Sequence, residues 1–333
     1  VLNRQIRITC LILFCILSLA ACGGAQTEKS SSTTSKIEST KINPMQTTSF
    51  NPCTLISRED VGHILGGVVD VRPELSAPLC MYRVHPNADA QPPHAKGPKT
   101  ADAMNPEQRE VLVSVGTSDD ASGYLNLDRT NAGKEAKTQV IKGIGTNAFS
   151  IPLSTGKAIV VSQGNTIYSI TMIYPHMNAS LLDTSLINLA LSASHTITKN
   201  VRPLSVPNPH PCTLLSAQKA SQLFQQPVKW YFSVNETGVA SCDYISSQGT
   251  PHRVQIIAVN KPGVAKTLYN SVDHELESGQ KQVLKGIGDA AFYDKQNATW
   301  ILKGNTVVHL IIMGETPADK FLLPLSRDVV KHF

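Results

Sequence analysis

The chain of 333 residues carries 30 Lys and Arg against 25 Asp and Glu, a formal charge of +5, with 41% hydrophobic and 5% aromatic residues. At about 100–200 residues per domain the length predicts two domains, and the apolar fraction excludes whole-chain disorder. A charge so small and scattered, with so few aromatic rings, excludes a nucleic-acid binder, which gathers Lys and Arg on one face or stacks bases on a platform.

Residues 1–21 read as an export signal. Arg4 and Arg7 form a positive segment, Ile8 to Leu19 is an almost unbroken apolar run, and small residues follow. The run is too short for the roughly 20 residues that span a bilayer. Leu19-Ala20-Ala21-Cys22 resembles the bacterial lipobox. That resemblance implies cleavage before Cys22 and lipidation of its thiol, which predicts attachment to the cell membrane on the side facing away from the cytoplasm. Residues 22–49 follow as a tether: Gly23 to Thr48 holds eleven Ser or Thr in 26 residues. Such a segment buries too little surface to offset its ordering entropy, and as a coil it spans roughly 30 Å.

The rest of the chain reads as one unit written twice, over 50–200 and 201–333. Asn51-Pro52-Cys53-Thr54-Leu55-Ile56-Ser57 returns as His210-Pro211-Cys212-Thr213-Leu214-Leu215-Ser216. Leu79-Cys80-Met81-Tyr82 returns as Ser241-Cys242-Asp243-Tyr244. Gln139 to Phe149 matches Gln282 to Phe292 at eight of eleven positions, and Gly164-Asn165-Thr166 returns as Gly304-Asn305-Thr306. Cys80 and Cys242 lie 162 positions apart, whereas Val111 and Val254 lie 143 apart, so the first copy carries nineteen extra residues between them. The proline-rich segment His85 to Glu110 accounts for these and reads as a solvated surface loop. Arg202 to Pro211, also proline-rich, joins the copies.

Within each copy helical and extended signals alternate. Ser57 with Asp60 forms a helix start before Val61 and Ile64-Leu65, and Gly66-Gly67 ends that helix; Ser216 to Gln226 reads the same way. Val111 to Val115, Ala158 to Ser162, Val254 to Val259 and Thr306 to Met313 are strand-like runs. Asn178 to Ser194 has helical spacing of its apolar residues. Thr316-Pro317 starts a last helix that Pro324 should kink or break. The expected class is α+β: two tandem homologous units, each a mainly antiparallel sheet flanked by helices.

The lipobox, Pro-Cys-Thr-Leu-Leu-Ser opening a helix, a second cysteine before an aromatic residue, and Lys285-Gly286-Ile287-Gly288-Asp289-Ala290-Ala291 resemble a family of bacterial envelope lipoproteins, the domain-of-unknown-function family numbered 3558. In the first copy Thr146-Asn147 stands where that pattern has Asp-Ala. The resemblance covers both copies and implies an exported α+β domain; it carries no activity with it.

Cys10 and Cys15 belong to the signal and Cys22 to the lipid, leaving four cysteines, two per copy. An oxidising compartment favours disulfides, and no CxxC spacing suggests zinc. Four cysteines allow three pairings; the repeat selects Cys53 with Cys80 and Cys212 with Cys242, one disulfide per unit.

Catalytic signals are lacking. Gly143-x-Gly145 and Gly286-x-Gly288 read as tight turns feeding strands rather than phosphate loops, because a third glycine and a following helix are missing. The histidines show no HxH or HExxH spacing, and His309 reads as a core-edge residue. Asp119-Asp120 reads as a solvated acidic pair, and no GxSxG elbow occurs. The expectation is therefore a non-enzymatic binding or interaction module of the envelope, with no catalytic residue, metal or cofactor. Its partners would be the membrane through Cys22 and an envelope protein or ligand, with no nucleic acid. The alternative is a small-ligand or lipid carrier, which needs an apolar pocket within one unit, and a less favoured one is an envelope hydrolase.

Overall fold

A computed structural model describes residues 50–84, 109–133, 137–174, 177–198, 204, 208–246, 252–277, 279–294, 297–313 and 318–333. The signal at 1–21, Cys22, the tether and most of the extra loop, residues 85–108, lie outside the described residues, as does much of the proline-rich joint.

The described residues form seven α-helices and fourteen strands, and every strand pair is antiparallel. The first half contains α1 (Arg58–Leu65), β1 (Val69–Pro73), β2 (Leu79–Val84), β3 (Glu110–Thr117), α2 (Ala121–Gly133), β4 (Gln139–Ile141), β5 (Asn147–Leu153), β6 (Gly156–Gln163), β7 (Thr166–Ile173) and α3 (Ala179–Thr198). The second contains α4 (Pro211–Leu214), α5 (Ala217–Phe224), β8 (Val228–Val234), β9 (Val239–Ser246), β10 (Arg253–Asn260), α6 (Val264–Glu275), β11 (Gln282–Val283), β12 (Ala290–Tyr293), β13 (Ala298–Lys303), β14 (Thr306–Met313) and α7 (Ala318–Val329).

Local chemistry accounts for the element ends. The Ser57 hydroxyl accepts from the Asp60 amide at 3.0 Å, and Gly66 ends α1 in the left-handed region. Ser216 caps α5 in the same way, accepting from the Lys219 amide at 3.2 Å. These caps satisfy amides that the first helical turn leaves unpaired. Gly145 and Gly288 hold positive φ in the turns before β5 and β12, where an added Cβ would lie 2.4 Å from the carbonyl oxygens of Ser162 and Leu302. The glycines there are steric requirements. Pro324 does not break α7, which runs through it to Val329. Buried Leu322, Leu325 and Val329 hold this helix to the sheet, so packing offsets the one missing backbone donor.

The strands run β1-β2-β3-β7-β6-β5-β4 in the first half and β8-β9-β10-β14-β13-β12-β11 in the second. The halves join into a single sheet at one short ladder. Strand β3 gives Glu110–Ser114 of one edge to β2, and Gly116 and Thr117 beyond them pair with Ser233 and Phe232 of β8. Alternation along the strands sends residues to two faces. One face carries Cys80, Tyr82, Val111 and Val113 beneath α1 and α3, and Cys242, Tyr244, Val254 and Ile256 beneath α4, α5 and α7.

Both disulfides lie on this face: Cys53–Cys80 and Cys212–Cys242, with Cα separations of 5.0 and 5.1 Å. Each is followed on its strand by a buried tyrosine that ties the sheet to the cysteine-bearing turn. Tyr82 donates its hydroxyl toward the carbonyls of Cys53 and Ile56, at 3.1 and 3.0 Å. Tyr244 does the same toward Cys212, at 3.2 Å, and Leu215.

The opposite face is covered differently in the two halves. Helix α6 lies over β10, β13 and β14, and its Tyr269 packs with Phe292 and Trp300. Helix α2, like α6 a helix the sequence did not announce, lies over β5, β6 and β7 but also reaches β8 and β9. It straddles the joint.

Candidate functional site: the seam cavity

A cavity of about 170 Å³ opens beside α2 on this second face. Its walls are mainly apolar, with Leu79, Ile151, Val160 and Ile167 from the first half and the rings of Tyr124 and Tyr231 beside α2. Polar groups gather along its floor. Ser114 and Ser169 hydroxyls pair at 2.8 Å, and Ser233 and Ser241 pair at 2.9 Å. Gln255 completes the row, only 8% exposed, and its Oε1 has no hydrogen-bond partner.

The cavity exists because the halves differ at equivalent places. Val160 pairs with Ser169, which pairs with Ser114, across β6, β7 and β3. The same rung of the second half is Trp300, His309 and Ile257 across β13, β14 and β10. One rung further, Leu112 pairs with Thr171 where Gln255 pairs with Ile311. Three small or hydroxylated residues thus stand where the second half has Trp300, His309 and Ile257. In that half the space is filled: His309 stacks on Trp300 at 3.8 Å between ring centroids. Burial lowers the His309 pKa to about 3, which keeps the ring neutral, and its Nε2 is unpartnered. It is a packing residue of β14.

A charged group sits at the cavity's second-half end. Arg253 Nε donates to both oxygens of Asp243 at 2.9 and 2.8 Å, and its Nη2 reaches the Tyr124 hydroxyl at 3.4 Å. Its Nη1 lies 3.5 Å from Asp128 on α2. Burial raises the Asp128 pKa above the ordinary carboxylate value; Arg253 opposes that rise and the charge of Asp243 adds to it. Burial acts against the charge of Arg253, but Asp243, Tyr124 and Asp128 more than offset it and hold the guanidinium protonated. Burial also raises Tyr124 well above the usual phenol range. One cation therefore faces two carboxyl groups, and the cluster carries one negative charge in excess when both ionise.

Further contacts tie the two halves together. Asn235, 1% exposed, donates its side-chain amide to the carbonyls of Glu74 and Ala77 at 2.7 and 3.1 Å. Asp120 begins α2, accepting from the Gly123 amide at 2.8 Å, and pairs with Lys229 of β8. Asp119 and Asp120 are both exposed, as a solvated pair should be, and Asp120 in addition supplies a helix start and an ion pair.

A second cleft, about 270 Å³, lies within the first half between Arg129 of α2 and the Lys142–Asn147 turn. Its rim includes Val140, 56% exposed, and its polar side chains Lys142 and Asn126 point to solvent. No polar side-chain atom of its lining is both buried and unpaired. The disulfide cysteines, on the other face, take no part in either opening. Among the described residues, no cluster of His, Cys, Asp and Glu is arranged to hold a metal, and no helix is long and apolar enough to cross a membrane.

The sequence reading did not single out Asp128, Arg253 or Gln255. Two signals were present: Asp243 stands between Cys242 and Tyr244, and Gln255 between Val254 and Ile256, each polar in a buried strand. Comparison with protein-family models, with curated proteins and with solved structures finds no match to this chain.

Proposed function

We propose that this chain is a non-enzymatic binding protein of the bacterial cell envelope, anchored by lipid on Cys22 and built from two tandem homologous units over 50–200 and 201–333. The lipobox-like Leu19-Ala20-Ala21-Cys22 and the Ser/Thr-rich tether support anchoring outside the cytoplasm. The matched strand orders, the matched disulfides and the matched tyrosine bonds support duplication. The motifs of the second copy support kinship with the envelope lipoprotein family numbered 3558.

One observation carries the binding reading: the seam cavity is lined from both halves and keeps a buried, unpaired acceptor on Gln255. A buried acceptor without a partner costs about 1–3 kcal/mol, a cost that a bound donor removes. This reading combines the paired-unit module with the small-ligand alternative, and it sets the pocket between the units rather than inside one. The test is to purify the lipidated protein from membranes and identify what leaves it on denaturation. A stoichiometric small molecule supports the reading; steady turnover of model esters by the purified protein would refute it.

A protein partner is favoured by a separate observation. Val140 on β4 and Val283 on β11 are 56% and 67% exposed, and these strands are two of the sheet's outer strands, each paired on one side only among the described residues. Such edges accept an added strand.

A further inference from the structure

We propose that the seam cavity binds a small organic amine, a single ammonium group on a compact apolar body. This rests on the binding reading above and names the ligand class for the same cavity.

Size sets the body. A cavity of about 170 Å³ is close to the roughly 150 Å³ apolar cavity that admits benzene. One ring or a short branched chain therefore fills it against Leu79, Ile151, Val160 and Ile167. The space is specific to the first half, because Val160, Ser169 and Ser114 replace the Trp300, His309 and Ile257 that fill the corresponding rung.

Polarity sets the head group. Gln255 Oε1 is an acceptor without a donor, and Asp128 holds Arg253 only at 3.5 Å while Asp243 takes the guanidinium from two atoms. Both open positions accept a hydrogen-bond donor, and the carboxyl of Asp128, once ionised, calls for a positive charge. An ammonium supplies three donors and the charge together. An anionic ligand would face two carboxyl groups with the adjacent guanidinium of Arg253 already engaged. A hydrocarbon would leave Gln255 unsatisfied.

Calorimetric titration of the oxidised full chain with benzylamine, benzyl alcohol and benzoate tests this. Benzylamine should bind about ten-fold or more tightly than the alcohol, the ratio that one charge-assisted hydrogen bond carries, and benzoate should not bind. Asp128→Asn, which keeps the side chain's shape, should erase the preference for the amine. Val160→Trp places the second half's residue in the cavity and should abolish binding with the unfolding temperature maintained; Val160→Phe serves if the larger ring prevents folding. Alcohol binding as tightly as the amine would overturn the amine assignment and leave the binding reading standing. Failure of all three probes to bind, or unchanged binding in both filled variants, would overturn both.

Discussion

Arg253 Nη1 lies 3.5 Å from Asp128 Oδ1, and the two residues come from opposite halves of the chain. Asp128 stands on a helix inserted after β3, Arg253 at the start of β10, 125 positions later. What brings them together is the reach of α2 over β8 and β9, and that reach depends on the two-residue ladder between β3 and β8.

Gly116 is the hinge of this ladder. A Cβ there would lie 2.1 Å from the Phe232 carbonyl oxygen and 2.7 Å from the Tyr231 ring. Gly116→Ala should therefore destabilise the chain by about 1–3 kcal/mol, the cost of overpacking. Asn235→Ala should cost about 2 kcal/mol by removing the donor to Glu74 and Ala77. Urea denaturation of the two variants checks both values. Wild-type midpoints would mean that the halves do not rely on this joint.

The disulfides should act separately. Loops of 27 and 30 residues each restrict the unfolded chain, so replacing both cysteines of one pair by alanine should cost about 3–4 kcal/mol. Peptide mapping of the oxidised protein should find Cys53 joined to Cys80 and Cys212 to Cys242. A crossed pair would contradict the fold.

Asp128 should make stability depend on pH in a defined direction. Its carboxyl is raised above the ordinary value of 3.8, chiefly by burial. Its contribution to stability is therefore complete below that ordinary value and is lost as pH rises through the raised one. Asp128→Asn should remove this loss, so the difference in stability between variant and wild type should grow in the variant's favour from acid toward neutral pH. The other titratable or charged groups at the site are Asp243, Arg253, Tyr124 and Tyr231, and in both proteins they are the same. Amine binding should run the opposite way, strengthening as Asp128 ionises. A pH-independent difference between the two proteins would show that Asp128 does not titrate as the site requires.

Cys22→Ala should abolish lipidation and leave unprocessed precursor. Stable anchoring needs about two acyl chains, each buried CH₂ contributing about 0.8 kcal/mol. Mass spectrometry of the N-terminal peptide checks the lipid on the wild-type protein. Quantitative release of normally processed protein from the variant would show ordinary secretion instead.

Much of the scaffold could be read before any coordinates. Ser57 and Ser216 announce their helices through hydroxyl-to-amide caps, a local chemistry that spans four successive residues. The cysteine pairing follows from where Cys53, Cys80, Cys212 and Cys242 fall in the recurring Pro-Cys-Thr-Leu and Cys-x-Tyr motifs. Strand runs such as Val254 to Val259 declare themselves through β-branched side chains. The site resisted the same approach because it is not local. Asp128 lies in α2, whose sequence mixes polar and apolar residues without a clean helical stripe, and that helix draws its burial from strands of both halves. Gln255 and Asp243 show only that a polar group is buried. That Tyr124 and Asp128 of the first half meet Arg253 beside them depends on the pairing of Gly116 and Thr117 with β8. The substitution of Ser169 for His309 becomes meaningful only once both residues are known to occupy the same rung.

The most direct measurement is an amide chemical-shift map of the oxidised full chain titrated with benzylamine. Perturbations should gather at Ser114 and Ser169 in the first half and at Ser233 and Gln255 in the second, saturating together with one affinity. Shifts confined to one half, or centred on the Lys142–Asn147 turn, would contradict a ligand site shared across the seam.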